Sequence, residues 1–201
     1  MSTALAEHTG LWTIADVEEI QDQGAHNRYE LLAPGVLTVS AAPEPLHQRA
    51  SRRLANLLES AAAAAGVANV EILEAVNVVI PTRPARLPDR LCVPDIAIVD
   101  RQIADEDTTK FPPGSVLAVV EIVSPSTHIN DRVVKPDLYA AAKVPLYFRL
   151  ELEGTAPELL VFELHHTGNH VHLGTAPAGT RTTITRPFAF EIDPANLVAR
   201  P

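Results

Sequence analysis

Two hydrophobic periods run along this chain, and the places where one gives way to the other mark its elements. Over residues 46–65, Ala50, Leu54, Leu57, Leu58 and Ala61 recur at helical spacing and form one apolar stripe. Gly66 follows as a stop, because a residue without Cβ readily takes the left-handed conformation that ends a helix. His47 precedes Leu54 by seven residues, which puts it on the stripe in the first turn; Arg49, Arg52 and Arg53 fall mostly away from it. Residues 13–23 predict a shorter amphipathic helix opened by Thr13, with acidic residues in its early turns. Next, Tyr29-Glu30-Leu31-Leu32 and Val36-Leu37-Thr38-Val39 predict a hairpin that turns through Pro34-Gly35.

Residues 70–80 predict one long strand with Glu74, Val76, Val78 and Ile80 on a shared face, followed by a loop rich in Pro and Arg. Residues 93–99 and 116–123 are nearly continuous apolar runs, the mark of central strands covered on both faces. A helix is expected after Ser126-Thr127, running to about Ala142, with Ser124 and Ser126 as capping residues. From Leu146 onward LYFRLEL, ELLVFEL, NHVHLG, TRTTIT and FAFEID alternate as strands. This order predicts an α+β fold with an α/β-like core, a mixed central sheet flanked by helices, and extra C-terminal antiparallel strands. A single domain over 1–201 is expected, with the N-terminal helix and hairpin at 13–40, the core at 46–150 and C-terminal strands at 151–201.

Composition narrows the function classes. With 46% hydrophobic and 20% charged residues among 201, the chain can bury a core, and at 4% aromatic that core must be aliphatic. No apolar run is long enough to span a membrane. The opening MSTALAEHTG lacks the basic start and apolar centre of a signal peptide. Cys92 is the only cysteine, which excludes an internal disulfide and suits a reducing cytoplasm; beside a predicted strand it reads as a core residue. The net charge of −9 argues against strong nonspecific binding to nucleic acid, so any basic face must be local. Carboxylates gathered around a metal ion also push the total negative.

The chemistry concentrates on two acids. Asp95 precedes Ile96-Ala97-Ile98-Val99, and Glu121 is enclosed by Val119-Val120 and Ile122-Val123. A carboxylate in an apolar strand is costly unless paired, protonated or bound to a cation. On neighbouring strands the two would also repel, by roughly 4 kcal/mol at about 4 Å and a near-surface dielectric. A divalent cation between them removes the repulsion, and hard oxygen ligands select Mg²⁺ or Mn²⁺. The alternative is a buried carboxylate satisfied by an arginine or by backbone donors.

The strings VPDIAIVD and LAVVEIVSPSTHINDRVVKPDLYAAAKVPLYFRLEL resemble the Uma-two family of restriction-endonuclease-like proteins, part of the PD-(D/E)XK nuclease superfamily. Similarity extends to YELLAPGVLTVSAAPEPLHQRASRRLANLLE upstream and to ELLVFEL and PFAFEID downstream, so it covers nearly the whole chain. The resemblance implies a restriction-endonuclease-like fold and a metal-dependent endonuclease acting on DNA. It implies Asp95, Glu121 and Glu30 as metal ligands, Lys135 in place of the motif lysine, and His47 lining the site. The usual E-x-K spacing would put lysine at position 123, where Val123 stands; Lys135 matches a lysine moved to the following helix. Pro136 directly after it disfavours a helical Lys135, so the helix is expected to restart at Pro136.

Hydrolysis of a phosphodiester is the chemistry these groups support, with Lys135 in an electrostatic role. Two other readings stay open: a binding module on a nuclease fold without turnover, and a metal-dependent hydrolase of RNA or small phosphodiesters. A homodimer would suit an enzyme that cuts both strands. Weaker signals are a histidine group (His165, His166, His170, His172) at a predicted hairpin turn, Asp131 beside Arg132 or Lys135, and Arg49, Arg52, Arg53, Arg83 and Arg86 as phosphate contacts.

Overall fold

The computed structural model describes residues 8–22, 27–106, 108–124, 128–154 and 156–200. Helix α1 (Ile14–Asp22) starts as expected: the Asp16 N–H donates to Thr13 Oγ1, and the Thr13 N–H donates back to Asp16 Oδ2 at 2.8 Å. Its buried Val17 and Ile20 pack with Tyr29, Leu31 and Leu91. Strands β1 (Arg28–Ala33) and β2 (Val36–Ser40) form the predicted hairpin, with Gly35 at φ +73° in the turn. A Cβ at Gly35 would lie 2.7 Å from the Leu11 side chain, so the turn needs glycine for both its angle and its space. Helix α2 (Pro45–Ala64) buries His47, Ala50, Leu54 and Leu58, and Gly66 follows at φ +68°.

The stretch 70–80 is two strands, not one. Strand β3 (Val70–Glu74) pairs with β6 (Ile96–Asp100), whereas β4 (Asn77–Ile80) pairs with β5 (Arg90–Cys92) in a different sheet. Between them Ala75 takes φ +54°, and its N–H donates to the Asp95 carbonyl. Apolar parity is kept across the bend, so periodicity alone cannot see it. The run at 93–99 is interrupted in the same way: β5 ends at Cys92 and β6 begins at Ile96, with Pro94, which has no ladder donor, between them. Asp95 therefore stands just before the strand rather than inside it.

Short elements follow: α3 (Arg101–Ala104) and β7 (Lys110–Phe111), then β8 (Val116–Val123). After β8 comes a π-helical turn, Asn130–Val134, which runs into α4 (Lys135–Ala141). The rest is β9 (Leu146–Glu151), β10 (Glu158–Leu164), β11 (His170–Pro177), β12 (Thr182–Ile184), β13 (Phe190–Ile192) and α5 (Ala195–Val198). The central six-stranded sheet has the order β11-β10-β9-β8-β6-β3, mixed because β8 and β9 run parallel. A five-stranded sheet, β2-β1-β5-β4-β7, stands beside it, and β12 pairs with β13.

Strands β6 and β8 are covered on both faces, as their continuous apolar runs require. Ile96, Ile98, Val120 and Ile122 join the cluster that contains the α2 residues, while Ala97, Val99 and Val119 join Leu138 and Tyr139 of α4. Glu121 has the parity of Val119, and so belongs to the α4 side. Among the described residues no helix is long and apolar enough to cross a membrane.

The π-helical turn explains how Pro136 is accommodated. The Lys135 N–H bonds to the Asn130 carbonyl, a step of five residues instead of four. Widening the turn in this way gives room to a proline ring that would crowd the carbonyl four residues back. Lys135 itself is helical at φ −65° and ψ −41°, despite the usual bias against that conformation before proline. The helix thus continues through Lys135 rather than restarting at Pro136. Ser126 and Thr127 lie outside the described residues, as does Gln23 of the predicted first helix.

Candidate active site

Five of the side chains singled out above meet where β1, the start of β6, β8, α2 and α4 converge. Glu30 comes from β1, Glu121 from β8, Lys135 from the first turn of α4 and His47 from the first turn of α2. Asp95 completes the group at the mouth of β6, and all but His47 are at most 3% exposed.

The cluster has two halves. In the first, the Lys135 ammonium lies 3.0 Å from Glu121 Oε2, 3.1 Å from Glu30 Oε1 and 3.3 Å from Asp131 Oδ1. The Tyr139 hydroxyl donates to the other Glu121 oxygen at 2.8 Å. Glu30 Oε1 also accepts from the Val93 N–H, and the Tyr147 hydroxyl donates to the Asp131 carbonyl. In the second half, Asp95 Oδ1 accepts from Arg28 at 2.7 Å. Its Oδ2 meets His47 Nε2 at 3.1 Å and accepts from the Ile122 N–H at 2.7 Å. That last bond ties Asp95 directly to the backbone beside Glu121.

Burial sets the protonation preferences. It pushes the Glu121 carboxyl well up against the pull of Lys135, with Asp131, Asp95 and Glu30 adding repulsion. For Lys135, burial disfavours the ammonium, but Glu121, Glu30 and Asp131 more than offset it and raise the pKa well above that of an ordinary lysine. Burial would also raise Asp95, yet the His47 hydrogen bond and the Arg28 charge hold it well below the usual carboxylate range. The Tyr139 phenol is raised, first by burial and then by Glu121.

Asp95 opens onto a cleft of about 340 Å³ bordered also by Arg28, His47, Ser51, Arg52 and Glu74. The Ser51 hydroxyl donates to Glu74 Oε1 at 2.6 Å. His47 Nδ1 is buried and has no hydrogen-bond partner among the described residues.

Arg28 escaped the sequence reading, although it alternates with Glu30 on β1 and so points to the same side of the strand. Asp131, a weak sequence signal, is buried beside Lys135 one helical turn away. The arginines divide. Arg53 donates to the carbonyls of Asn196, Leu197 and Ala199, and Arg49 to that of Val198, so both serve the last helix. Arg52 lines the cleft, and Arg83 and Arg86 are exposed on their loop. The tail histidines are spread over other partners: His165 and His166 face each other, His172 meets Thr175, and His170 sits between the carbonyls of Pro136 and Val144.

The sequence profile of the Uma2 family, described as "Putative restriction endonuclease", matches residues 14–195. No curated protein matches the chain. Among solved structures, the fold is similar to that of "a putative nuclease belonging to DUF820 from Anabaena variabilis ATCC 29413". The TM-score is 0.61 at 12% identity, covering 84% of this chain and 89% of that one. The profile spans the chain from α1 to the start of α5 and takes in every residue of the buried cluster; the chain belongs to the Uma2 family of restriction-endonuclease-like proteins.

Proposed function

We propose that this protein is a divalent-metal-dependent endonuclease that hydrolyses phosphodiester bonds in DNA. The observation that carries this reading is the convergence of Glu30, Glu121 and Lys135, from three elements, and of Asp95, from the link before β6, at one buried place. Asp95, Glu121 and Glu30 would hold the ion, and carboxylate oxygens are the donors that Mg²⁺ or Mn²⁺ prefers. Among the described residues no three acidic, histidine or cysteine side chains form a ready cage. The Lys135 ammonium and the Arg28 guanidinium hold the acids instead; the carboxylate donors suit a divalent ion, for which the Lys135 ammonium would have to make room. When bound, such an ion supplies Lewis acidity and activates water for attack on phosphorus.

The protein's own groups supply the rest. Lys135 stays charged, since its acidic neighbours raise its pKa; it therefore acts as an electrostatic partner for charge developing on the phosphoryl oxygens rather than as a base. Asp95 stays ionised at neutral pH, held in place by His47, Arg28 and the Ile122 N–H. Tyr139 orients Glu121 by donating to its Oε1.

A second reading is a binding protein without turnover, favoured by the fact that protein cations already satisfy the acids. Incubation of DNA and RNA with Mg²⁺ or Mn²⁺, with and without chelator, separates the two. The nuclease reading expects ion-dependent cleavage of DNA that disappears in Asp95→Ala and Glu121→Ala. Intact substrates under every condition would leave the binding reading.

A further inference from the structure

We propose that the cleft beside Asp95 takes one unpaired DNA strand rather than an intact duplex, with Arg28 and Arg52 holding backbone phosphate next to the bond to be cut. This rests on the nuclease reading and names the form of its substrate.

The first support is depth. Asp95 and Glu121 are 3% and 0% exposed, so a phosphodiester must leave the protein surface to reach them. A single strand can bend inward freely, whereas the backbone of a duplex is stiff and bending it into a recess costs energy. The second is size. A cleft of about 340 Å³ lies at the lower end of the range for small-ligand sites, and a duplex needs a broad face instead.

The third is charge. Duplex DNA rewards many phosphate contacts, yet the chain carries 16 Lys and Arg against 25 Asp and Glu. On α2, Arg49 and Arg53 are spent on the carbonyls of the last helix, which leaves Arg52 to face the cleft. Arg28 gives one nitrogen to Asp95 and remains 18% exposed at the cleft wall, so its other donors are available to a phosphate. The fourth is an orphan. His47 is 9% exposed, lines the cleft and keeps a buried Nδ1 without a partner in the uncapped first turn of α2. A built polar wall with an unsatisfied ring nitrogen, two arginines and few other cations suits two or three phosphates. Glu74 and Asp95 on the same wall repel further ones.

The test is fluorescence anisotropy of a short labelled DNA strand and of a hairpin duplex of the same sequence, with the full chain and calcium as the ion. The single strand should bind about tenfold more tightly or better, as expected where an unpaired strand makes contacts that a duplex cannot. Its affinity should fall with salt at a log–log slope between about −1.4 and −2.1, the value for two or three neutralised phosphates. Arg52→Ala should weaken strand binding and make that slope shallower by about 0.7, while Arg181→Ala, 78% exposed and far from the cleft in sequence, should change neither. Equal or tighter duplex binding, or no binding of either form, overturns the assignment. Cleavage in manganese is scored separately: a strand that binds preferentially but is never cut leaves the cleft assignment standing and removes the nuclease reading.

Discussion

Lys135 Nζ lies 3.0 Å from Glu121 Oε2, although the two residues belong to different elements and are 14 positions apart. Neither side chain is more than 2% exposed, so each is the main reason the other can be charged there. Around this pair the whole cluster is arranged: Glu30 and Asp131 share the ammonium, and Tyr139 fixes the far oxygen of the carboxylate.

Removal of the amine should therefore be costly. Lys135→Met leaves Glu30, Glu121 and Asp131 without their shared cation, and the loss from breaking a buried pair is about 3–5 kcal/mol. Urea unfolding should show that decrease, and Mn²⁺ should restore part of it, because an ion that binds only the folded state stabilises it. A variant as stable as the parent would mean that the amine is not holding the acids.

Acid should act through Asp95. Its carboxyl titrates lower in the folded protein than in the unfolded chain, so its stabilisation is present above the unfolded value of about 3.9 and lost as pH falls through the folded one. Urea midpoints measured from neutral pH downward should hold steady with respect to this group until about pH 4 and then fall. Asp95→Asn should flatten that acid limb.

Glu121 has the opposite sign. Burial raises its pKa against the pull of Lys135, so the folded state holds this proton to higher pH than the unfolded chain does, and the stability from that preference is lost as pH rises through the folded value. A cation that needs the ionised form competes with the proton. The gain in Tm caused by Mn²⁺ should accordingly grow as pH rises, and calorimetry should detect proton release on binding.

Tyr139→Phe removes one donor and little else. A hydrogen bond to a charged group contributes about 1.5–3 kcal/mol, and stability should fall by that order. Cleavage should fall as well, because Glu121 loses the contact that fixes its Oε1.

Pro136→Ala separates stability from aim. Alanine restores a helical donor and removes the ring that the wide turn accommodates, so Tm should hold or rise. If the turn then closes to ordinary α-helical bonding, Lys135 rotates away from Glu30 and Glu121, and cleavage should drop while the fold persists.

Much of this was legible in the sequence, for physical reasons that differ from element to element. The α2 stripe and the buried β8 run announce themselves through periodicity, and Asp95 and Glu121 stand out because ionised groups are rare in such runs. The bends at Ala75 and at Pro94 were hidden, since a chain that changes sheet while keeping its parity leaves the pattern intact. Lys135 was identified by type and position, but its aim depends on the π-helical turn, a backbone adjustment with no hydrophobic period of its own. Arg28 was missed because its meaning comes from pairing with Asp95, 67 positions away.

The most direct check is a crystal soaked in manganese and measured at its absorption edge. One anomalous peak should stand between the carboxylates of Asp95 and Glu121, with Glu30 adjacent and the Lys135 amine moved off Glu121 Oε2. An empty cluster in which Lys135 and Arg28 keep their present partners would contradict the claim that these acids serve a metal ion.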